Sequence, residues 1–220
     1  MTVALEGFHA VKHALRFAPE LVVSVTVASL DEAAALCAAL APDVAAALLA
    51  LAALGPVEHP TGVTGTAERP APDLRPLQAR TSPLVLLDDP RHPGNAGAAI
   101  RVAAAAGASG VGMTGALDPW HPAVVRGSAG LHYALPVLSV ALDDVVGPVV
   151  ALDADGSGWE HLPDDAVLVV GSERAGLSPQ VRARADRVVA LPMTRGVSSL
   201  NLATAVSAAL YSWRLSRPAS

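Results

Sequence analysis

LVLLDDPRHPGNAGAAIRVAAAAGASG, residues 84–110, decides how this chain is read. Four apolar residues, Leu84 to Leu87, run without alternation, as a strand buried on both faces does. A turn rich in Asp, Pro and Gly follows, then an alanine-rich helix that Gly107 closes. Strand, loop and helix in that order are the unit of a parallel α/β sheet. Downstream the pattern repeats, with strands expected at 84–88, 110–114, 135–139, 149–153, 166–171 and 187–191. Helices are expected at 95–106, 121–129, 178–185 and 199–215.

Upstream, ERPAPDLRPLQARTSP (68–83) holds four prolines and no periodicity. It reads as a linker and sets a boundary near residue 78, dividing the chain into units 1–78 and 79–220. In the first unit Leu5, Phe8, Val11 and Leu15 stand at helical spacing and predict a helix over 5–16. LVVSVTVA (21–28) is β-branched and predicts a strand. Asp31 is expected to cap a helix to Leu40, and Pro42–Asp43 to open another to about Leu54. HPTGVTGTAERP (59–70) has the texture of a turn and a short strand.

Composition bounds the function. At 52% hydrophobic and 16% charged, the 220 residues can bury an ordinary core. No apolar run reaches the length of a membrane span, and the N-terminus lacks the basic-then-apolar order of a signal peptide, so a cytoplasmic protein is expected. The one cysteine, Cys37, in an alanine-rich run, reads as a small buried hydrophobe. A net charge of −5 argues against a nonspecific nucleic-acid binder. Residues 1–78 carry four basic and eight acidic side chains, while residues 79–220 carry eleven and twelve. Lys12 is the only lysine, and Arg91, Arg101, Arg126, Arg174 and Arg195 lie in or beside loops, offering forked recognition of phosphate. The seven histidines show no metal-ligand spacing, so no metal is expected. GNAG lacks the dinucleotide fingerprint, and Ser172 lacks the nucleophile elbow of a serine hydrolase.

Two later stretches complete the picture. In VLVVGSERAGLS (167–178) a buried-type strand ends at Gly171, a polar loop presents Glu173, and Ser178–Pro179 can start a helix. Ligands of open α/β sheets bind at such strand ends. In ALPMTRGVSSLNLATAVSAALY (190–211) a strand ends in Leu191–Pro192–Met193, and Ser199–Leu200–Asn201 opens the last helix. Taken singly, Asn95 and Ser199 read as helix caps, Glu173 as a loop acid and Arg101 as a solvated helix residue.

Together, PGNAGAAIRVAAAAG, GSERAGLS and LPM followed by SSLN resemble the three signature motifs of the SpoU/TrmH family of RNA 2′-O-ribose methyltransferases, in the SPOUT superfamily. DPWHPAVVRGSAG (118–130) looks like a further segment of that family, and the resemblance covers roughly residues 83–217. Glu6–Gly7 before an apolar helix, and HPTGV, make the first unit similar to the family's L30e-like substrate-binding extension. The resemblance implies a trefoil-knotted, mostly parallel α/β domain behind a small L30e-like α/β domain, S-adenosylmethionine as cofactor, and a homodimer. It implies that Gly171, Leu191, Met193 and Leu200 hold the cofactor, and that Asn95, Arg101, Glu173, Ser199 and Asn201 carry the chemistry.

The implied reaction moves a methyl group from S-adenosylmethionine to a ribose 2′-oxygen of RNA. Ribosomal RNA is favoured over transfer RNA because the L30e-like extension more often accompanies it. The resemblance implies that Arg101 acts as base, helped by a substrate phosphate. Since arginine hardly deprotonates, a grip on the adjacent phosphate that positions the hydroxyl is the plainer role, and both stay open. Arg195, Ser198, His92 and Ala123 depart from the family's usual residues without removing any of the central ones. Two alternatives stay open: a catalytically weak member that binds RNA or assists ribosome assembly, and a knotted methyltransferase acting on a non-RNA nucleophile.

Overall fold

Ten strands and eight helices make up the computed structural model, which describes residues 1–217, the side chains of residues 76 and 77 apart. Residues 218–220, the tail of the expected second unit, lie outside the described residues. Two sheets organise the chain. The first contains β1 (Thr2–Glu6), β2 (Val22–Val27), β3 (Ala52–Leu54) and β4 (Val63–Glu68), in the order β1-β4-β2-β3. Here β4 pairs antiparallel with β1 and β2, and β3 joins β2 in parallel at the edge. Helices α1 (Phe8–Phe17), α2 (Leu30–Leu40) and α3 (Ala45–Leu51) accompany this sheet.

The second sheet holds β5 (Leu84–Asp88), β6 (Gly110–Met113), β7 (Val137–Ser139), β8 (Val149–Gly158), β9 (Val167–Gly171) and β10 (Arg187–Ala190). Its order is β10-β8-β9-β5-β6-β7 and every pairing is parallel. The central strand β5 is buried throughout, as its unbroken apolar run requires. Its residues alternate between two cores: Val85 and Leu87 face one, Leu84 and Leu86 the other. On the first side lie α5 (Pro93–Ala106) and α8 (Leu202–Ser216), through Ala99, Ile100, Ala103, Val206, Leu210 and Trp213. Leu177 and Val181, the latter on α7 (Pro179–Arg184), cover the opposite side. From β5 the chain builds β6 and β7 to one side and then places β8 and β9 on the other. That reversal beside β5 is a topological switch point, where open α/β sheets take their ligands.

Small residues set how closely the layers meet. A Cβ at Gly97 would stand 2.4 Å from the Val124 carbonyl oxygen and 2.7 Å from Gly127 Cα. Only glycine lets α5 lie this near α6 (Pro122–Gly127).

The first sheet is not a free appendage. Trp120, Val125 and Tyr133 belong to the same core as Phe8, Val11 and Leu15. Arg126 donates to Glu6 at 2.8 Å, His13 Nδ1 lies 2.7 Å from the Ala129 carbonyl oxygen, and the Tyr133 hydroxyl donates to the Glu68 carbonyl at 3.3 Å. Segment 118–134 is thus the saddle on which the first unit sits. At its centre His132 is buried between the Ser128 hydroxyl, 2.7 Å from Nδ1, and the Pro119 carbonyl, 2.8 Å from Nε2. Burial pushes its pKa down to about 4, against smaller opposing contributions from the Pro119 carbonyl and Asp118.

Several expectations need correction. The helix predicted over 5–16 begins at Phe8, because Leu5 belongs to β1 and Gly7, at φ 87°, turns the chain between them. There the Phe8 N–H donates to Thr61 Oγ1 at 3.0 Å, so the HPTG turn caps the helix from afar. The helix expected to reach Leu54 stops at Leu51, since residues 52–54 pair with β2. Ser29, not Asp31, caps α2 by accepting from the Glu32 N–H. Within the linker, residues 75–78 form a short helix, α4. Neither Asn95 nor Ser199 is a cap: α5 starts at Pro93 after His92, and Asn201 caps α8.

Candidate active site

The parallel register places Asp88 opposite Gly171, so the loops after β5 and β9 leave the sheet side by side. The loop after β10 and the start of α8 close over them. Between these loops, beside the middle of β8, lies a cavity of about 680 Å³. Its walls include Asn95, Gly171, Glu173, Leu191, Met193, Ser199, Leu200 and Asn201. Eight of the nine residues singled out from the sequence therefore share one cavity. The ninth, Arg101, does not line it.

One hydrogen-bonded chain ties the three loops together. Asn201 Nδ2 donates to Asn95 Oδ1 at 3.0 Å, and Asn95 Nδ2 donates to Glu173 Oε1 at 2.8 Å. The backbone N–H of Arg91 donates to Glu173 Oε2 at 3.1 Å. The polarity is forced from one end: an ionised carboxylate only accepts, so Asn95 must turn its NH₂ to Glu173 and its oxygen to Asn201. Asn201 Oδ1 is in turn committed to the N–H groups of Ala203 and Thr204 at the start of α8, at 2.9 and 3.4 Å. Partial burial would raise the Glu173 pKa, but the hydrogen bonds from Asn95 and Arg91 and the nearby His92 outweigh it, leaving the carboxyl below its ordinary value.

The first loop is anchored separately. The buried Asp88 carboxylate accepts from the Ser178 N–H at 2.7 Å and from the Thr114 hydroxyl at 3.1 Å, which pins the loops after β9 and β6 to β5. Asp89, at φ 49°, pairs with Arg91. Gly171 makes close contact with the turn beyond it: a Cβ there would stand 2.2 Å from the carbonyl carbon of Gly176. Ser199 lines the cavity with no hydrogen-bond partner among the described residues.

Helical geometry explains the place of Arg101. Six residues at about 100° each carry it roughly 120° around the helix from Asn95. It stands exposed, its charge felt by His9 and Lys12 of α1. The sequence reading groups Arg101 with Asn95 among the residues that carry the chemistry, yet in this chain only Asn95 lines the cavity. It also passed over Leu152, Asp153 and Ala154 within β8, level with the carboxyl end of β9, which line the cavity, with Asp153 paired to Arg182. The rule that ligands gather at the carboxyl ends of strands was the signal available for them.

Among the described residues no group of three His, Cys, Asp or Glu side chains is placed to hold a metal ion. No helix of the described residues is long and apolar enough to cross a membrane.

Comparison with known proteins bears on the whole arrangement. The chain is 37% identical over 172 residues to the 23S rRNA (uridine(2479)-2′-O)-methyltransferase of Streptomyces viridochromogenes, a match covering 70% of this chain and 60% of that protein. It therefore spans less than two thirds of that relative's length. It is 26% identical to the 23S rRNA (guanosine(2553)-2′-O)-methyltransferase RlmP of Bacillus subtilis (strain 168), covering 97% of this chain and 88% of the other. The crystal structure of the SpoU methyltransferase AviRb from Streptomyces viridochromogenes, in complex with the cofactor AdoMet, superposes with a TM-score of 0.79 at 27% identity, covering 97% of this chain and 90% of that one. The profile described as SpoU rRNA Methylase family matches residues 82–211, from just before β5 into α8, and the chain belongs to that family.

Proposed function

We propose that this chain transfers the methyl group of S-adenosylmethionine to a ribose 2′-hydroxyl of RNA, with ribosomal RNA as the substrate class. The observation that carries the proposal is the single cavity in which three sequence-distant loops meet around the Asn201–Asn95–Glu173 chain. The homologous 23S rRNA 2′-O-methyltransferases support the substrate class.

The cavity suits the cofactor. Its volume falls within the usual range for small-molecule sites. Val170, Leu191, Met193, Leu200 and Leu202 give it an apolar wall suited to adenine, and the Gly171 backbone lies in the same wall. We assign Gly171, Leu191, Met193 and Leu200 to holding S-adenosylmethionine. When bound, its sulfonium supplies an electrophilic methyl group.

The chain's own residues then have to align the acceptor. Each Glu173 oxygen already accepts one hydrogen bond and keeps a lone pair for another, so the carboxylate can take one from the ribose hydroxyl. Its lowered pKa suits orienting that hydroxyl rather than keeping its proton. Asn95 and Asn201 hold Glu173 in place, Ser199 offers a hydroxyl at the cavity wall, and Arg101 grips the phosphate beside the reacting ribose.

Because Arg101 stands aside from its own chain's cavity, the reading includes a homodimer in which the partner's Arg101 serves that cavity. It also includes residues 1–78 as an L30e-like substrate-binding domain, residues 79–220 as the methyltransferase domain with a trefoil knot, and a cytoplasmic setting. The insertion of β9 between β8 and β5 supports the knot.

The test is transfer of tritium from methyl-labelled S-adenosylmethionine to unmodified 23S rRNA, followed by digestion to nucleosides. Label in ribose supports the proposal. Bound RNA without label points to the assembly-factor alternative, and label only in a non-RNA acceptor to the other.

A further inference from the structure

The first unit is acidic, and its few cations are mostly occupied. Arg16 is paired with Asp43, Arg69 with Asp118 and Arg75 with Asp73. Among the described residues Lys12 is that unit's one cation without an ion pair, and among those of the second unit Arg101, Arg174, Arg195 and Arg214 share this state. Lys12 and Arg101 lie together.

Packing brings them there. On α1 the residues Phe8, Ala10, Val11, Ala14 and Leu15 are buried, which leaves His9, Lys12, His13 and Arg16 on the opposite face. Their spacing of i, i+3, i+4 and i+7 makes that face one stripe. The helix rests on the saddle: a Cβ at Gly130 would stand 2.7 Å from the Ala10 carbonyl oxygen, and His13 reaches the Ala129 carbonyl. From the other side α5 meets the saddle at Gly97, against Val124 and Gly127. Arg101 is four residues after Gly97, one turn along the same face. It therefore emerges beside the saddle on which α1 also rests, close enough for its charge to bear on His9 and Lys12. His9 and Arg101 are exposed and Lys12 half-buried. The carboxylate whose charge bears on Lys12, that of Asp43, is already engaged by both Nε and Nη2 of Arg16.

Like charges without counter-ions repel one another, and a solvated surface with twenty acidic residues would readily supply them. We infer that Lys12 and His9 of α1 continue the phosphate grip of Arg101, forming one track for the phosphodiester backbone of RNA beside the reacting nucleotide. The inference rests on the methyltransferase reading and deepens it. It gives the acidic first unit a definite contact with RNA through a single stripe, and it makes the saddle contacts the device that sets the distance between that stripe and Arg101.

The test measures binding of an unmodified 23S rRNA transcript by the full chain at several salt concentrations. Lys12→Glu is expected to weaken binding roughly tenfold and to lower the slope of log K against log salt by about 1. Lys12→Gln should show a smaller loss in the same direction. Both variants keep the wild-type melting temperature and S-adenosylmethionine affinity, and Arg75→Glu, remote from the stripe, keeps the wild-type slope. Wild-type affinity and slope in both Lys12 variants, alongside a reduced slope in Arg101→Ala, would overturn the track while leaving the RNA reading standing. A wild-type chain that binds S-adenosylmethionine but shows no salt-dependent RNA binding would overturn both.

Discussion

The hydrogen-bonded chain that joins the three loops at the cavity and the two cations of the α1–α5 stripe treat polarity in opposite ways. At the wall, Asn201, Asn95 and Glu173, with the Arg91 N–H behind them, satisfy one another in a chain of fixed polarity. Along the stripe, Lys12 and Arg101 have no ion pair among the described residues and raise each other's electrostatic cost. A satisfied network holds a shape, because moving any member breaks a bond whose partner is then left unpaired. Unpaired cations hold a place for an anion. The first arrangement suits a small cofactor with few charges to match, the second a polyanion.

The largest effect expected from breaking this contrast is at Arg101. Arg101→Ala should lower the rate of methyl transfer about 10³-fold, the loss typical of removing one preorganised electrostatic contact. Its S-adenosylmethionine affinity, measured by calorimetry, should stay within about twofold of wild type, since a factor of two is worth only about 0.4 kcal/mol. A large loss of cofactor affinity would place Arg101 in the wrong region.

Acid should attack the joint between the regions. In the unfolded chain the His132 imidazole takes its proton near 6.5, in the folded chain only at about 4. Between those values the unfolded state binds more protons, so stability falls as pH falls through that window and is fully present above it. The contribution is roughly 3 kcal/mol. Denaturant titrations at pH 7 and pH 4.5 should show a larger drop for wild type than for His132→Gln.

Asn95→Ala sharpens the contrast from the other side. It removes the link between Glu173 and Asn201 and should lower the rate about 10²-fold, while the RNA salt slope stays at its wild-type value. A change in that slope would mean the two regions are not separate.

The smallest effect is the most discriminating. Asn201→Ala loses both the α8 cap and the bond to Asn95, whereas Asn201→Ser keeps a cap. The alanine variant should be about 1 kcal/mol less stable and the serine variant near wild type, yet both should lose activity.

How far the sequence alone reached follows the same division. The second sheet was legible because its strands are continuous apolar or β-branched runs, and every expected strand from 84 onward is present. The cavity residues were legible through the resemblance of three motifs to one family's signature, with which their places after strands agree. In the first unit Leu5, Phe8, Val11 and Leu15 mimic one helix, and nothing in their spacing reveals that Gly7 turns the chain or that Leu5 pairs with Gly65. The edge strand β3 is hidden by alanine and leucine, which favour helix, and tertiary pairing with β2 overrides them. Asn95 and Ser199 are good cap residues, but Pro93 starts its helix earlier and Asn201 starts the other later. The stripe was out of reach for a different reason. Its meaning lies in which cations lack partners, and the partners of Arg16, Arg69 and Arg126 (Asp43, Asp118 and Glu6) all lie far from them in the sequence.

The division of labour between the two regions can be tested on the wild-type chain in one series of titrations against salt, with S-adenosylmethionine and with an unmodified 23S rRNA transcript as separate ligands. The account predicts a nearly flat cofactor affinity and an RNA affinity that falls steeply as salt rises, with a slope that reports several phosphate contacts. A cofactor affinity that falls in parallel with that of RNA, or an RNA affinity indifferent to salt, would contradict it.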